Sequence, residues 1–236
     1  MKRHLSRLNM PRSWPIERKK TKWVTRPNPG PHSLDMGMPL GVLLKEVLKC
    51  SKTARETKEI INQGLVKVDN KIRKDYKFPV GLMDTLLIQN SFYRILVNKK
   101  GKFVLYKITK EESNTKPRKI IGKTTLRNKA IQINFLDGSN KILKKDAYSV
   151  SDTLLFDLEK NEVKDHLRLE KDSIIYLLDG RYIGQVGVVK SIEKSNSLNP
   201  KKITFSVGAK TFETLKDYAL VIGKDKPVIS VQAGEK

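Results

Sequence analysis

Residues 53–86 read TARETKEIINQGLVKVDNKIRKDYKFPVGLMDTL. Thr53 and Glu56 stand three apart at the head of a helical run, the spacing at which a hydroxyl and a carboxylate cap each other's backbone N–H groups. Ala54, Ile60 and Ile61 supply apolar contacts, and Gly64 occupies the stop position, where a helix end favours left-handed backbone. The apolar period then falls to two, the signature of a strand. Val66-Lys67-Val68 runs into Asp69-Asn70, and Ile72 resumes among Lys71, Arg73 and Lys74. A two-residue turn at Asp69-Asn70 would set Val68 opposite Lys71 and mix apolar and charged residues on one face. A three-residue or bulged connection pairs Val68 with Ile72 and Val66 with Lys74, so a bulge is the expected form. That register keeps Val68 and Ile72 on the core face and leaves Lys67, Arg73 and Lys71 pointing outward.

Working outward, Leu40, Leu43, Leu44, Val47 and Leu48 recur at helical spacing, with Pro39 at the start. Downstream, KFPVGLMDTLLI (77–88) predicts a turn at Pro79–Gly81 and a buried closing strand from about Asp84 to Ile88. The unit over residues 38–90 is therefore helix, turn, helix, basic hairpin, strand. Lys52, Arg55 and Lys58 gather on the second helix, and Lys67, Lys71, Arg73 and Lys74 on the hairpin. A helix edge beside a β-ribbon makes a ridge that can follow a phosphate backbone without reading bases.

The charge balance points the same way. The chain of 236 residues carries 48 Lys and Arg against 25 Asp and Glu, a formal +23. Such an imbalance resists compaction by self-repulsion and calls for a polyanionic partner. Residues 1–36, 37–90, 91–170 and 171–236 carry +7, +4, +8 and +4, so every segment is basic and the ligand must touch most of the molecule. Nucleic acid fits better than a membrane surface, because no lipidation motif, amphipathic anchor or long apolar run accompanies the charge. The basic N-terminus has no apolar stretch behind it, so it is not read as a signal peptide. One cysteine, Cys50, excludes an intrachain disulfide framework and a cysteine-based zinc site. An intracellular setting is expected.

The first 37 residues read as an extended basic arm. Pro11, Pro15, Pro27, Pro29 and Pro31 break any helix. Lys2, Arg3, His4, Arg7, Arg12, Arg18, Lys19, Lys20, Lys22, Arg26 and His32 alternate with both tryptophans of the chain, Trp14 and Trp23. Indole rings stack on bases and guanidinium groups grip phosphates, so an arm that orders on RNA is expected. Beyond residue 91 the pattern is of short strands: FVLYKI, AIQINFL, DTLLFDL, SIIYLL, VGVVKSI, ITFSV and YALVI, separated by turns such as Asp137-Gly138 and Asp179-Gly180. The stretch KEESNTKPRK (110–119) reads as a basic, proline-containing loop. The expected organisation is an arm (1–37), a helix–helix–hairpin domain (38–90), a central β-rich domain (91–170) and a small β-barrel domain with the C-terminal segment (171–236). The fold class is α+β and multidomain, with mostly antiparallel β modules.

The catalytic inventory is thin. His4, His32 and His166 lie in different regions, and none has a partner at metal-ligand spacing. His166 reads as an ordinary surface or strand residue, and Cys50, following an apolar helix, as a buried small residue. Glu111-Glu112 sits in a charged loop, and neither a P-loop nor a G-x-G-x-x-G is present. No catalytic residue, metal site, cofactor or small-molecule substrate is expected. The alternatives are an RNA-modifying or processing enzyme docking through the hairpin domain, or a nonribosomal transcription or translation factor.

The stretch 53–86 resembles the S-four-type RNA-binding domain, with its basic second helix, glycine before the hairpin and V-x-V-[N/D]-G-like turn; Asn70 stands where glycine is usual. IIYLLDGRYIGQVGVVKSI (174–192) is similar to the KOW motif, which implies an SH3-like barrel and puts Arg181, Tyr182 and Lys190 against RNA. Taken in order, RPNPGPHSL (26–34), the hairpin domain, KGKFVLYKITKEE (100–112), KAIQINFLDGSNKI (129–142), SDTLLFDLEKNEVKDHL (151–167), the KOW-like segment and YALVIGKDKPVISV (218–231) resemble the small-subunit ribosomal protein S-four-e family of archaea and eukaryotes. The short C-terminal segment looks more archaeal. The resemblance implies a noncatalytic, rRNA-binding constituent of the small subunit, in the cytoplasm, beside neighbouring small-subunit proteins.

Overall fold

The computed structural model describes residues 4–143, 146–193, 200–224 and 226–231. The chain divides into two compact units, Met1–Val97 with Lys102–Asn114, and Asn98–Gly101 with Thr115–Lys236. Antiparallel sheet dominates both, with few helices.

In the first unit, β1 (Leu5–Ser6) and β2 (Trp23–Val24) pair with each other. β3 (Gly37–Pro39) leads into a helical segment formed by α1 (Leu40–Val42) and a π turn at Leu43–Val47. Leu40, Leu43 and Leu44 are buried at 0–1% exposure, as their spacing requires. α2 (Ala54–Asn62) carries the expected reciprocal cap: Thr53 Oγ1 accepts from Glu56 N–H, and the Glu56 carboxylate accepts from Lys52 and Thr53 N–H. Those backbone bonds hold the Glu56 carboxyl below its usual range. Gly64 follows with φ +77°.

β4 (Val66–Val68) and β5 (Lys71–Ile72) form the hairpin, then come β6 (Pro79–Gly81), β7 (Thr85–Ile88), β8 (Ser91–Val97), β9 (Phe103–Lys107) and α3 (Lys110–Ser113). The main sheet has the order β5-β4-β7-β8-β9, and β6 pairs separately with β3. The bulged hairpin is not what forms. Val68 pairs with Lys71 and Lys67 with Ile72. Asp69 and Asn70 take φ of 49° and 61°, a tight two-residue turn of the kind that matches strand twist. β5 is a two-residue edge strand, and Ile72 is 54% exposed, so no core face constrains its register. Instead the turn is anchored from behind: Asp69 accepts from Thr85 N–H at 3.0 Å, while Asp69 N–H donates to Thr85 O at 2.9 Å.

The sheet also runs past the expected boundary at residue 90. Gln89 and Asn90 take left-handed φ of 45° and 66° and close a second tight hairpin, so β8 and β9 join the sheet of the hairpin domain.

In the second unit, β10 (Thr115–Thr125), β11 (Ile131–Phe135), β12 (Asn140–Leu143), β13 (Thr153–Asp157) and β14 (Glu162–Leu167) form a sheet of order β12-β11-β10-β13-β14. β15 (Ile174–Leu177), β16 (Val186–Ile192), β17 (Lys202–Val207), β18 (Lys210–Leu215) and β19 (Ala219–Gly223) form another, of order β18-β17-β16-β15-β19. β13 is buried on both faces. Leu154 and Phe156 pack with Ile120, Ile133 and Phe135, whereas Leu155 packs with Ile175, Val189 and Phe205. Alternation along one strand thereby joins the two sheets, and the expected boundary at 170 falls in the connection between β14 and β15.

The expected loop at 110–119 is instead α3, capped by Thr109, followed by the first half of the longest strand. Pro117 is tolerated there because over Thr115–Lys119 β10 pairs with β13 alone; β11 joins only from Ile120. Burial reclaims the charges of this stretch. Asp137 meets Arg118 Nε at 3.0 Å and Lys116 Nζ at 3.5 Å; the Arg118 contact is charge pairing without hydrogen-bond geometry. Burial by itself would raise the Asp137 carboxyl, but Lys116, Arg118 and the bonds from Ser139 hold it below its ordinary value.

Lys119, 4% exposed, donates to the carbonyls of Asp217 at 2.6 Å and Lys216 at 3.3 Å. Burial pushes its pKa down to about 8, with Lys216 adding to the effect and Asp217 opposing it. Below pH 8 folded and unfolded chains both hold the proton, and the folded state bears the cost of a buried charge. Between about pH 8 and 10.5 only the unfolded chain keeps it, so stability rises with pH there. The unfolding free energy of the native chain minus that of Lys119→Met should climb by roughly 2–3 kcal/mol across this window in urea titrations. A flat difference would contradict the assignment.

Candidate nucleic-acid interface

α2 and the β4–β5 hairpin bring the expected ridge together. Lys52, Arg55 and Lys58 are exposed on and before α2, and Lys71 and Lys74 are exposed on and beyond β5. Lys67 and Arg73 are half-buried. The Arg73 guanidinium lies 4.4 Å from the Phe78 ring centroid, and Lys58 Nζ lies 5.7 Å from that of Tyr76. These aromatic contacts hold long cationic side chains over apolar ground while leaving their charge at the surface. Asn70 Nδ2 donates to Asn114 Oδ1 at 3.1 Å and ties the turn to the end of α3.

The N-terminal segment is not an extended arm. It is packed into the first unit, and three of the residues assigned to RNA contact are committed to that packing. Trp14 is 1% exposed and its Nε1–H donates to Gly37 O at 2.9 Å. Arg7, 3% exposed, chelates the Glu46 carboxylate and also donates to Glu17 O at 2.6 Å. His32 Nε2 lies 2.9 Å from Asp84 Oδ2, which also accepts from Gly81 N–H at 2.9 Å. A Cβ on Gly81 would come within 2.5 Å of the His32 ring, which explains the glycine at this turn. These three residues cannot offer their polar atoms or rings to RNA. Their order comes from the protein itself, through apolar burial and internal pairing.

The remaining N-terminal candidates divide by exposure. His4, Arg12, Lys19, Lys20, Lys22 and Trp23 are exposed. Lys22 Nζ lies 5.4 Å from the Trp23 ring centroid and the His4 ring 5.7 Å from it. Arg18 is half-buried and donates to Leu8 O and Met10 O at 2.9 and 3.0 Å; Arg26 is half-buried. Lys2 and Arg3 lie outside the described residues. In the second unit Arg181 and Lys190 are exposed on the turn before β16 and on β16. Tyr182 is half-buried, its ring 4.5 Å from Phe212 and 5.6 Å from Phe205, so part of it belongs to the core.

Cys50 is exposed rather than buried, because Lys49 takes φ 55° and turns the chain off the helix; the partial burial of its thiol raises the pKa and disfavours thiolate. His166 sits on β14, 2.7 Å from Asp152. Among the described residues, no three His, Cys, Asp or Glu side chains converge as a metal site, and no helix is long and apolar enough to cross a membrane. Sequence reasoning missed Lys45, Lys49 and Tyr76, which line a cleft with the N-terminal segment; the periodicity marked the lysines only as the polar side of a helix.

Residues 1–35 match the RS4NT domain, 38–86 the S4 domain and 89–163 the ribosomal family S4e. The chain is 40% identical to the small ribosomal subunit protein eS4 of Methanothermobacter thermautotrophicus, over 99% of this chain and 98% of that protein. The chain belongs to the eS4 family. The eS4 protein of Aeropyrum pernix is 38% identical over 98% of this chain and 96% of its own length. The crystal structure of the 30S ribosomal protein S4e from Thermoplasma acidophilum superposes with a TM-score of 0.72 at 30% identity, covering 80% of this chain and 96% of that one. Membership of the eS4 family agrees with the order of elements quoted from the sequence, and the structural neighbour agrees with the mostly antiparallel architecture.

Proposed function

We propose that this protein is a noncatalytic constituent of the small ribosomal subunit in the cytoplasm, binding and bracing rRNA beside neighbouring small-subunit proteins. The observation that carries the reading is the ridge of Arg55, Lys58, Lys71 and Lys74 along one helix edge and one edge hairpin, on a chain that matches eS4 proteins along nearly its whole length. Lysine and arginine on such a ridge release counterions from phosphates and fix register without reading bases. The helix–helix–hairpin portion is assigned the S-four-type clamp. The β15–β19 sheet is assigned the KOW, SH3-like role, with Arg181, Tyr182 and Lys190 toward RNA. The exposed cations of residues 4–26 contribute further phosphate contacts.

The test is the salt dependence of binding to deproteinised small-subunit rRNA, together with co-sedimentation with small subunits at moderate salt. Replacing Arg55, Lys71 and Lys74 with Ala should lower the slope of log K against log salt by about 2–3, with the far-ultraviolet circular dichroism unchanged because all three are exposed. An unaltered slope would count against the ridge. A native protein that stays in the supernatant would count against the ribosomal reading as a whole.

A further inference from the structure

Between the N-terminal segment and the helices of the first unit lies a cleft of about 630 Å³, within the size range of pockets that hold small-molecule-sized ligands. Its lining includes four lysines and one arginine against two glutamates, a net +3. Arg7 occupies Glu46, while Lys20, Lys45, Lys49 and Lys52 have no acidic partner among the described residues. Two aromatic rings line the cleft. Trp23, on β2, is 54% exposed even though the other tryptophan is buried. Tyr76, also in the lining, rests against Gly41, where a side chain would collide with its ring. Lys45, on the π turn whose Leu48 N–H reaches back to Leu43 O at 3.0 Å, and Lys49, just past it, both line the cleft.

An exposed indole among unpaired ammonium groups is the chemistry that recognises a base and its phosphates together. Paired bases are already stacked and keep their faces covered, so the fitting ligand is single-stranded. Resting on the rRNA-binding reading, we propose that this cleft captures one unpaired nucleotide of an rRNA strand, with Trp23 stacking on the base. Lys45 and Lys49 neutralise its flanking phosphates, and Lys22, beside the indole, marks the entry of the strand. The cleft adjoins the ridge through Lys52 and Tyr76 and adds the exposed Trp23 ring.

The test uses the full chain with an unstructured uridine-rich RNA hexamer and, as comparison, a short RNA duplex. The hexamer should quench the fluorescence of Trp23 while Trp14, sealed in the core, serves as an internal reference. Trp23→Ala should weaken hexamer binding about tenfold, and Trp23→Phe should restore most of the loss. Replacing Lys45 and Lys49 together with Ser should lower the hexamer's salt slope by about 1–1.5. Absent hexamer binding, equal affinity in Trp23→Ala, or equal quenching by the duplex would each overturn the proposal. Such a result with rRNA binding intact removes the cleft alone, whereas loss of rRNA binding by the native chain removes the function on which it rests.

Discussion

Trp14→Ala is expected to destabilise the first unit by about 3–5 kcal/mol, the cost of deleting a large buried aromatic and leaving a cavity. Trp23→Ala should change stability by no more than about 0.5 kcal/mol, as exposed substitutions do. The contrast follows from burial. Trp14 is 1% exposed and Trp23 is 54% exposed. Removing Trp14 also strips the donor from the buried Gly37 carbonyl, and an unpaired buried acceptor adds to the loss. Urea unfolding followed by circular dichroism measures both variants. Equal, small effects would mean that the N-terminal segment is dispensable to the fold and behaves as a loose arm. The RNA readouts should invert the order, Trp23→Ala weakening binding while leaving the fold intact.

Glu112→Ala should be comparably damaging, by about 3–5 kcal/mol, because it strips a buried cation of a carboxylate bonded directly to it. Arg94 is 0% exposed; its Nη1 lies 2.6 Å from Glu112 Oε1 and its Nη2 donates to Glu112 O at 2.9 Å. Burial lowers the Arg94 pKa, while Glu112 and Asp69 oppose that shift. The guanidinium nonetheless remains protonated, so it cannot escape the penalty by losing its proton. Glu111→Ala, one residue away and exposed, should stay within about 0.5 kcal/mol. Replacing both partners, Arg94→Met with Glu112→Leu, should recover most of the stability, since an apolar pair of similar volume avoids the desolvation cost. Denaturant midpoints of the three variants decide the matter. A double variant as unstable as Glu112→Ala would show that the ion pair contributes more than it costs.

These two pairs mark where reading the chain succeeds and where it fails. The Thr53–Glu56 cap, the helix beginning at Pro39 and the seven strands named from their alternation were legible because each depends on neighbours within a few residues. The capping box needs only spacing, and strand alternation needs only one buried face. The bulged register follows from the sequence only if both strands of the hairpin face a core. β5 is a short exposed edge, and the turn chemistry of Asp69-Asn70, held by Thr85 from another strand, prevails. The stretch 110–119 reads as a loop because Lys116, Pro117, Arg118 and Lys119 resemble solvent-facing residues. Asp137 and the Asp217 carbonyl, supplied from distant positions, make their burial possible.

By itself, the sequence determined the class of partner, the basic ridge and the family, since net charge, caps and ordered motifs are properties of composition and short spacing. Only the tertiary structure decided which cations remain available. Arg7, His32, Lys116 and Lys119 were indistinguishable in the chain from residues that face solvent. Their burial depends on Glu46, Asp84, Asp137 and the carbonyls of residues 216–217, partners 21 to 98 positions away that no local pattern reveals. The same folding that withdraws Trp14 leaves Trp23 exposed beside a lysine-lined cleft. Desolvating a charge or an indole N–H is favourable only when a partner closes on it, and that closure is a long-range event.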